Sequence, residues 1–158
     1  LIPLIGANVA FFVQYPEYML VRRGQVQLSS ALKERLALRV MKTIGTRFHE
    51  GRGPTPLDDL AHELDMPVEA VERVTDALRK AGLLVTAGQD PVSFVPGRDT
   101  GQITLKACLD AVRGADSTVP GPRGEDESVD TLMEALDRAL GERLEGVTLA
   151  ALVERQGK

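Results

Sequence analysis

Residues 55–96 read TPLDDLAHELDMPVEAVERVTDALRKAGLLVTAGQDPVSFVP, and this stretch decides the fold. Leu57, Leu60, Ala61 and Leu64 fall at i, i+3, i+4 and i+7, one apolar stripe along a helix. Thr55 is placed to cap that helix, with Pro56 at its first position and Asp58 three residues past the cap. The chain breaks at Asp65-Met66-Pro67, because a residue before proline is pushed out of helical geometry. Pro67 suits the first turn of a second helix, whose stripe is Val71, Val74, Leu78 and Ala81, and Gly82 ends it. Leu83–Ala87 and Val92–Val95 read as strands, with Gly88-Gln89-Asp90-Pro91 as the turn between them. Helix, turn, helix and hairpin make a winged helix-turn-helix. The expected class is therefore mainly α with a small β-hairpin, plus flanking helices. Its expected core is Leu57, Leu60, Leu64, Val71, Val74, Leu78, Leu84 and Phe94.

Working outward, Ser29 to Glu50 is the longest helix candidate. Leu32, Leu36, Val40, Ile44 and Phe48 form its stripe, Ala37 and Met41 widen it, and Ser29 or Ser30 caps it. Its other face is basic, carrying Lys33, Arg35, Arg39, Lys42 and Arg47. Further upstream, Leu1–Val13 holds ten strongly apolar residues of thirteen and no charge. Tyr15, Tyr18, Arg22 and Arg23 follow, the order in which a transmembrane helix leaves the bilayer on the cytoplasmic side. Thirteen residues are too few to span, which takes about 20. With no initiator Met, the chain reads as a piece of a longer protein.

Downstream of the hairpin, Gly97–Gln102 is turn-prone, and Thr104 caps a helix with the stripe Leu105, Cys108, Leu109 and Val112. Residues 114–127 are rich in Gly, Pro and acid and read as a linker. A last amphipathic helix carries Val129, Leu132, Met133, Leu136, Leu140 and Leu144 on one side, and Thr148–Glu154 adds a further turn or two. The expected division is 1–28 juxtamembrane, 29–114 winged helix, 115–127 linker and 128–158 C-terminal helix.

Composition narrows the chemistry. Of 158 residues 43% are hydrophobic but only 4% aromatic, with no Trp, so the core rests on Leu, Val and Ala. The single Cys108 excludes a disulfide framework and a Cys-based zinc site, and its place on an apolar stripe makes it a buried, inert thiol. The net charge of −4 is unevenly spread: +4 over residues 1–51, −3 over 52–114 and −5 over 115–158.

The segments GANVAFFVQYPEY and VQLSSALKERLALRVMKTIGTRF, the 55–96 stretch and ITLKACLDAVRG together resemble the C-terminal part of the YihY/BrkB family. These are integral membrane proteins historically labelled ribonuclease BN. The resemblance covers roughly residues 1–114. It implies the end of a last transmembrane helix followed by a cytosolic winged helix at the cytoplasmic face of the cell membrane. The implied partners are the protein's own transmembrane portion and an anionic lipid surface. Within the winged helix, DLAHELDMPVEAVERVTDALRKAGLL and RDTGQITLKACLDAVRG also resemble the iron–sulfur-sensing repressors. Their cluster-binding cysteines and glycine-rich wing are missing here, so no cofactor carries over.

Catalysis finds no residues to carry it. His49 and His62 are the only histidines, and neither His-Glu pair has the spacing that places two imidazoles on one face. There is no glycine-rich phosphate loop and no nucleophile elbow. DNA binding meets an electrostatic objection: Glu69, Glu72 and Asp76 line the outer face of the second helix, around Arg73. The expectation is thus a non-catalytic interaction or regulatory domain of a membrane protein. Its interaction residues are Arg22, Arg23, Lys33, Arg39, Lys42, Arg47, Arg73, Arg79 and Lys80, with Leu132, Leu136 and Leu140 docking a protein partner or a second copy. The alternative is a DNA-binding transcription regulator using Pro67–Ala81 and the basic face of Ser29–Glu50.

Overall fold

The computed structural model describes residues 19–22, 25–115 and 126–155. The apolar run Leu1–Val13 lies outside them. Residues expected as a juxtamembrane segment instead make a hairpin of β1 (Met19–Arg22) and β2 (Gln25–Leu28), with Met19 opposite Leu28.

Helix α1 (Ser30–His49) starts where expected, because Ser29 Oγ accepts from the Leu32 amide at 3.3 Å. Leu36, Ala37, Val40, Met41 and Ile44 are buried along it. Phe48, placed in the same stripe, is 52% exposed. A four-residue spacing overshoots the 3.6-residue turn by about 40° each step, so four steps rotate the ring off the core face.

Thr55 and Pro56 form a short strand, β3, with Thr55 opposite Phe94. Thr55 is therefore buried in a sheet and is not the cap of α2 (Leu57–Leu64), which begins after Pro56 with no side-chain cap. Helix α2 ends at Asp65, a left-handed residue at φ 52°, with the Met66 amide donating back to Ala61 O at 3.0 Å. Helix α3 (Val68–Lys80) follows Pro67. Its end fits the sequence: Gly82 at φ 74° lets the Leu83 amide donate to Leu78 O at 3.0 Å.

The hairpin pairs β4 (Leu84–Gln89) with β5 (Val92–Pro96), and β3 adds to the other edge of β5, giving the antiparallel order β3-β5-β4. Gly88 and Gln89 continue β4 past a bulge at Thr86/Gly88, so the connecting turn is shorter than expected. A side chain at Gly97, just after β5, would place its Cβ 2.5 Å from Gly82 O. The hairpin therefore closes directly onto the end of α3.

Helix α4 (Leu105–Gly114) is capped by Thr104, α5 (Glu127–Arg143) by Asp126, and α6 (Leu149–Glu154) by Thr148. The two threonines face each other: Leu105 N donates to Val147 O at 3.0 Å and Leu149 N to Ile103 O at 2.8 Å. This seats α6 against α1, where Gly45 faces Leu149 and Val153 and Leu149 is fully buried. The expected core residues Leu60, Leu64, Val71, Val74, Leu78, Leu84 and Phe94 are all buried, joined by Leu36, Met41, Ile44, Ile103 and Cys108, while Leu57 packs at the edge. Removing the Leu78 side chain beyond Cβ is expected to cost about 2–5 kcal/mol.

Candidate nucleic-acid interface

Helices α2 and α3, with a three-stranded sheet beside them, leave the outer face of α3 open. Glu69, Glu72, Arg73, Arg79 and Lys80 are exposed along it. Asp76, in the middle, is engaged from both sides: Lys80 Nζ lies 2.7 Å from Oδ2 and Arg79 Nη2 lies 2.6 Å from Oδ1. Lys80 and Arg79 hold its carboxyl below the usual carboxylate range. The acidic row thus has one member already neutralised, and that triad carries a net positive charge. Arg73 makes no ion pair among the described residues.

The remaining expected interaction residues separate into groups. Arg47 is not free for phosphate: its Nη1 lies 3.1 Å from Asp59 and its Nη2 2.9 Å from Glu63, clamping α1 to α2. Arg39 is exposed and Lys42 half-buried, and both border a polar cleft of about 330 Å³ beside Arg47 and Arg52. Lys33 lies across α1, near Arg73. The Arg22 side chain and all of Arg23 fall outside the described residues. Leu132 and Leu136 are 60% and 56% exposed on α5, and Leu140 is half-buried. Of the two histidines, His49 has Nε2 2.9 Å from Thr100 Oγ1, tying the end of α1 to a loop, and His62 is exposed on α2. The structure brings them into no shared site.

The Asp76–Arg79–Lys80 triad escaped the sequence reading, although its i, i+3, i+4 spacing was visible. Two apolar residues on the hairpin surface, Val85 and Val92, were missed as well. Alternation alone gives no sign that both faces of a wing strand are solvated.

Fold and exposed second helix together define a winged helix-turn-helix protein. Comparison with known proteins narrows the class. HTH-type transcriptional regulator IscR of Serratia proteamaculans is 30% identical over 130 residues, covering 78% of this chain and 78% of that protein. IscR of Cronobacter sakazakii is 32% identical over 110 residues, covering 66% of this chain and 68% of its own. The chain belongs to the Rrf2 family of winged-helix transcription regulators, the family of IscR. Among solved structures, CymR, the global cysteine regulator of B. subtilis, superposes with a TM-score of 0.60 at 24% identity, covering 83% of this chain and 98% of that one. T. potens IscR gives 0.60 at 18% identity, covering 82% and 88%. Both share the fold. No family profile matches the chain.

These relatives overturn the YihY/BrkB resemblance and everything drawn from it. The position at the membrane face, the transmembrane and lipid partners and the ribonuclease label all fall with it. Among the described residues no helix is long and apolar enough to cross a membrane. What misled the reading was residues 1–23, an apolar run before an arginine pair, taken as a bilayer exit. The low rank given to nucleic acid is corrected too, because the relatives are transcription regulators.

The resemblance to iron–sulfur-sensing repressors raises the question of a cluster. The residues do not fit one. A cluster takes about four ligands, typically thiolates. The only cysteine is Cys108, fully buried on the core side of α4, with its thiol pushed up to about 12 by burial.

Proposed function

We propose that this chain is a winged-helix DNA-binding transcription regulator that senses its signal without an iron–sulfur cluster. The observation that supports it most is the open face of α3, whose Arg73 makes no ion pair among the described residues, in a chain 30% identical to IscR over 78% of its length. The recognition helix of such a module lies in the major groove, with its N-terminal residues at the base edges. Arg73 is suited to the paired acceptors of guanine, and Glu69 and Glu72 to the amino group of cytosine. Carboxylates that repel phosphate are thus acceptable where they meet a base. Backbone contacts fall to Arg79 and Lys80, and to Arg39 and Lys42 on α1.

Selection from a pool of random duplexes with the full chain tests this reading. Recovery of one G·C-containing motif supports it. A pool that stays unenriched after repeated rounds contradicts it.

Leu132, Leu136 and Leu140 are proposed to meet the same residues of a second copy. No residue of α5 is buried, and Val129, Leu132, Met133 and Leu136 expose a stripe at coiled-coil-like spacing. A helix-turn-helix that reads two half-sites needs such a two-fold axis. Sedimentation of the chain and of Leu132→Glu is expected to give a dimer and a monomer respectively. A monomer in both contradicts the pairing.

A further inference from the structure

Arg39, Lys42, Thr43 and Thr46 fall at i, i+3, i+4 and i+7 on one face of α1. With the end of α2 and the turn after α1, they line the polar cleft of about 330 Å³. That volume lies within the roughly 300–1,000 Å³ typical of small-molecule sites. The carboxylates around it are engaged: Glu50 lies 2.9 Å from Arg52 Nε, while Asp59 and Glu63 hold the two Nη atoms of Arg47. None of the three is bonded to Arg39 or Lys42, which make no ion pair among the described residues. Two further atoms of the lining, Thr46 Oγ1 and Arg47 Nε, are buried without a hydrogen-bond partner among the described residues. Buried polar atoms are nearly always bonded, so two such atoms beside one cleft mark a place for an acceptor.

We propose that this cleft binds a small phosphate monoester such as a sugar phosphate. Four side chains here, Arg39, Lys42, Thr46 and Arg47, have hydrogens to donate, and two of them are cations without an ion-pair partner. A monoester meets them with three strong acceptor oxygens and a charge near −2, where a carboxylate or a diester has two such oxygens and a single charge. The cleft is larger than the phosphate alone, and Thr43 with the Arg52–Glu50 pair gives a polar wall for a hydroxylated remainder. Arg39 and Lys42 then serve the ester instead of the DNA backbone, so the bound chain holds duplex more weakly and with a shallower salt slope. That consequence alone rests on the DNA-binding reading. Occupation of the cleft does not depend on it.

Calorimetry on the full chain at fixed ionic strength tests occupation, with ribose 5-phosphate as the ligand, ribose as its uncharged analogue and dimethyl phosphate as the diester. Ribose 5-phosphate is expected to bind at least about tenfold more tightly than either, through charge-assisted hydrogen bonds. Lys42→Gln is expected to lower that affinity about tenfold. Thr46→Val removes the hydroxyl and nearly keeps the shape, and is expected to lower it about three- to tenfold. Without ligand, the unfolding midpoint of Thr46→Val stays in place or rises, because the hydroxyl it removes had no partner. No binding of ribose 5-phosphate, affinity equal to that of ribose, or affinity indifferent to both substitutions overturns the site. A lower midpoint for Thr46→Val overturns it too, since the hydroxyl would already be satisfied. Equal binding of dimethyl phosphate overturns the monoester and makes the cleft a seat for the DNA backbone. DNA affinity is read separately by anisotropy, with and without ribose 5-phosphate. A chain that binds the ester but never DNA overturns the regulator reading and leaves the site standing.

Discussion

Asp76 and Lys80 lie one turn apart on α3, with Oδ2 2.7 Å from Nζ, and Arg79 holds the other carboxylate oxygen at 2.6 Å. On a helix surface such a pair adds little stability. Its consequence here is electrostatic: a carboxylate on the outer face of α3 is masked, and two cations are partly occupied in masking it. Asp76→Asn is therefore expected to strengthen DNA binding and to steepen the dependence of log K on log salt by about one to two units, as Arg79 and Lys80 turn to phosphates. Anisotropy titrations across salt measure this. Weaker binding by the variant would mean that Asp76 itself contacts a base.

Arg47 carries the opposite expectation. Because it spans Asp59 and Glu63 from α1 to α2, Arg47→Met is expected to lower stability by about 0.5–1 kcal/mol and leave the salt slope unchanged. Full stability with a shallower slope would instead make Arg47 a phosphate contact.

Asp65 turns the chain between α2 and α3 at φ 52°, a conformation that glycine adopts without steric cost. Asp65→Gly is expected to raise stability by up to about 1 kcal/mol, the relief of strain exceeding the added freedom of the unfolded chain. A lower denaturant midpoint for the variant would contradict this.

Cys108 is expected to be silent toward thiol reagents in the folded chain at pH 8. Burial pushes its thiol up to about 12, above an ordinary value of 9.0, so folding favours the neutral form. That contribution to stability is complete below about pH 9 and is lost as pH rises toward 12, because the unfolded chain ionises first. Cys108→Ala should lack this alkaline loss. Rapid labelling under native conditions would show that the thiol is reached without unfolding.

Much of the fold was legible because local signals agreed. Val71, Val74 and Leu78 fixed the buried face of α3, and Gly82 fixed its end. Thr55 was misread because a threonine before proline satisfies the grammar of a helix cap, while its pairing with Phe94 depends on a strand almost forty residues away. The return of α6 to α1 was equally hidden, since it depends on Gly45 meeting Leu149 and Val153. The interface was harder still. Glu69, Glu72 and Asp76 look prohibitive as a row of charges, and only side-chain geometry shows Asp76 spoken for. Lys33 and Arg73 are forty residues apart, and no periodicity pairs them. The membrane reading failed for a different reason. An apolar run followed by arginines is a statement about composition, and comparison with whole proteins outweighed it.

The most direct test of the central claim is the affinity of the full chain for its selected duplex at physiological salt, with Arg73→Ala beside it. The account predicts a dissociation constant of about 10⁻⁸ M or tighter, weakened roughly ten- to a hundredfold by the substitution. Micromolar binding that is the same for every sequence, and the same with and without Arg73, would contradict it.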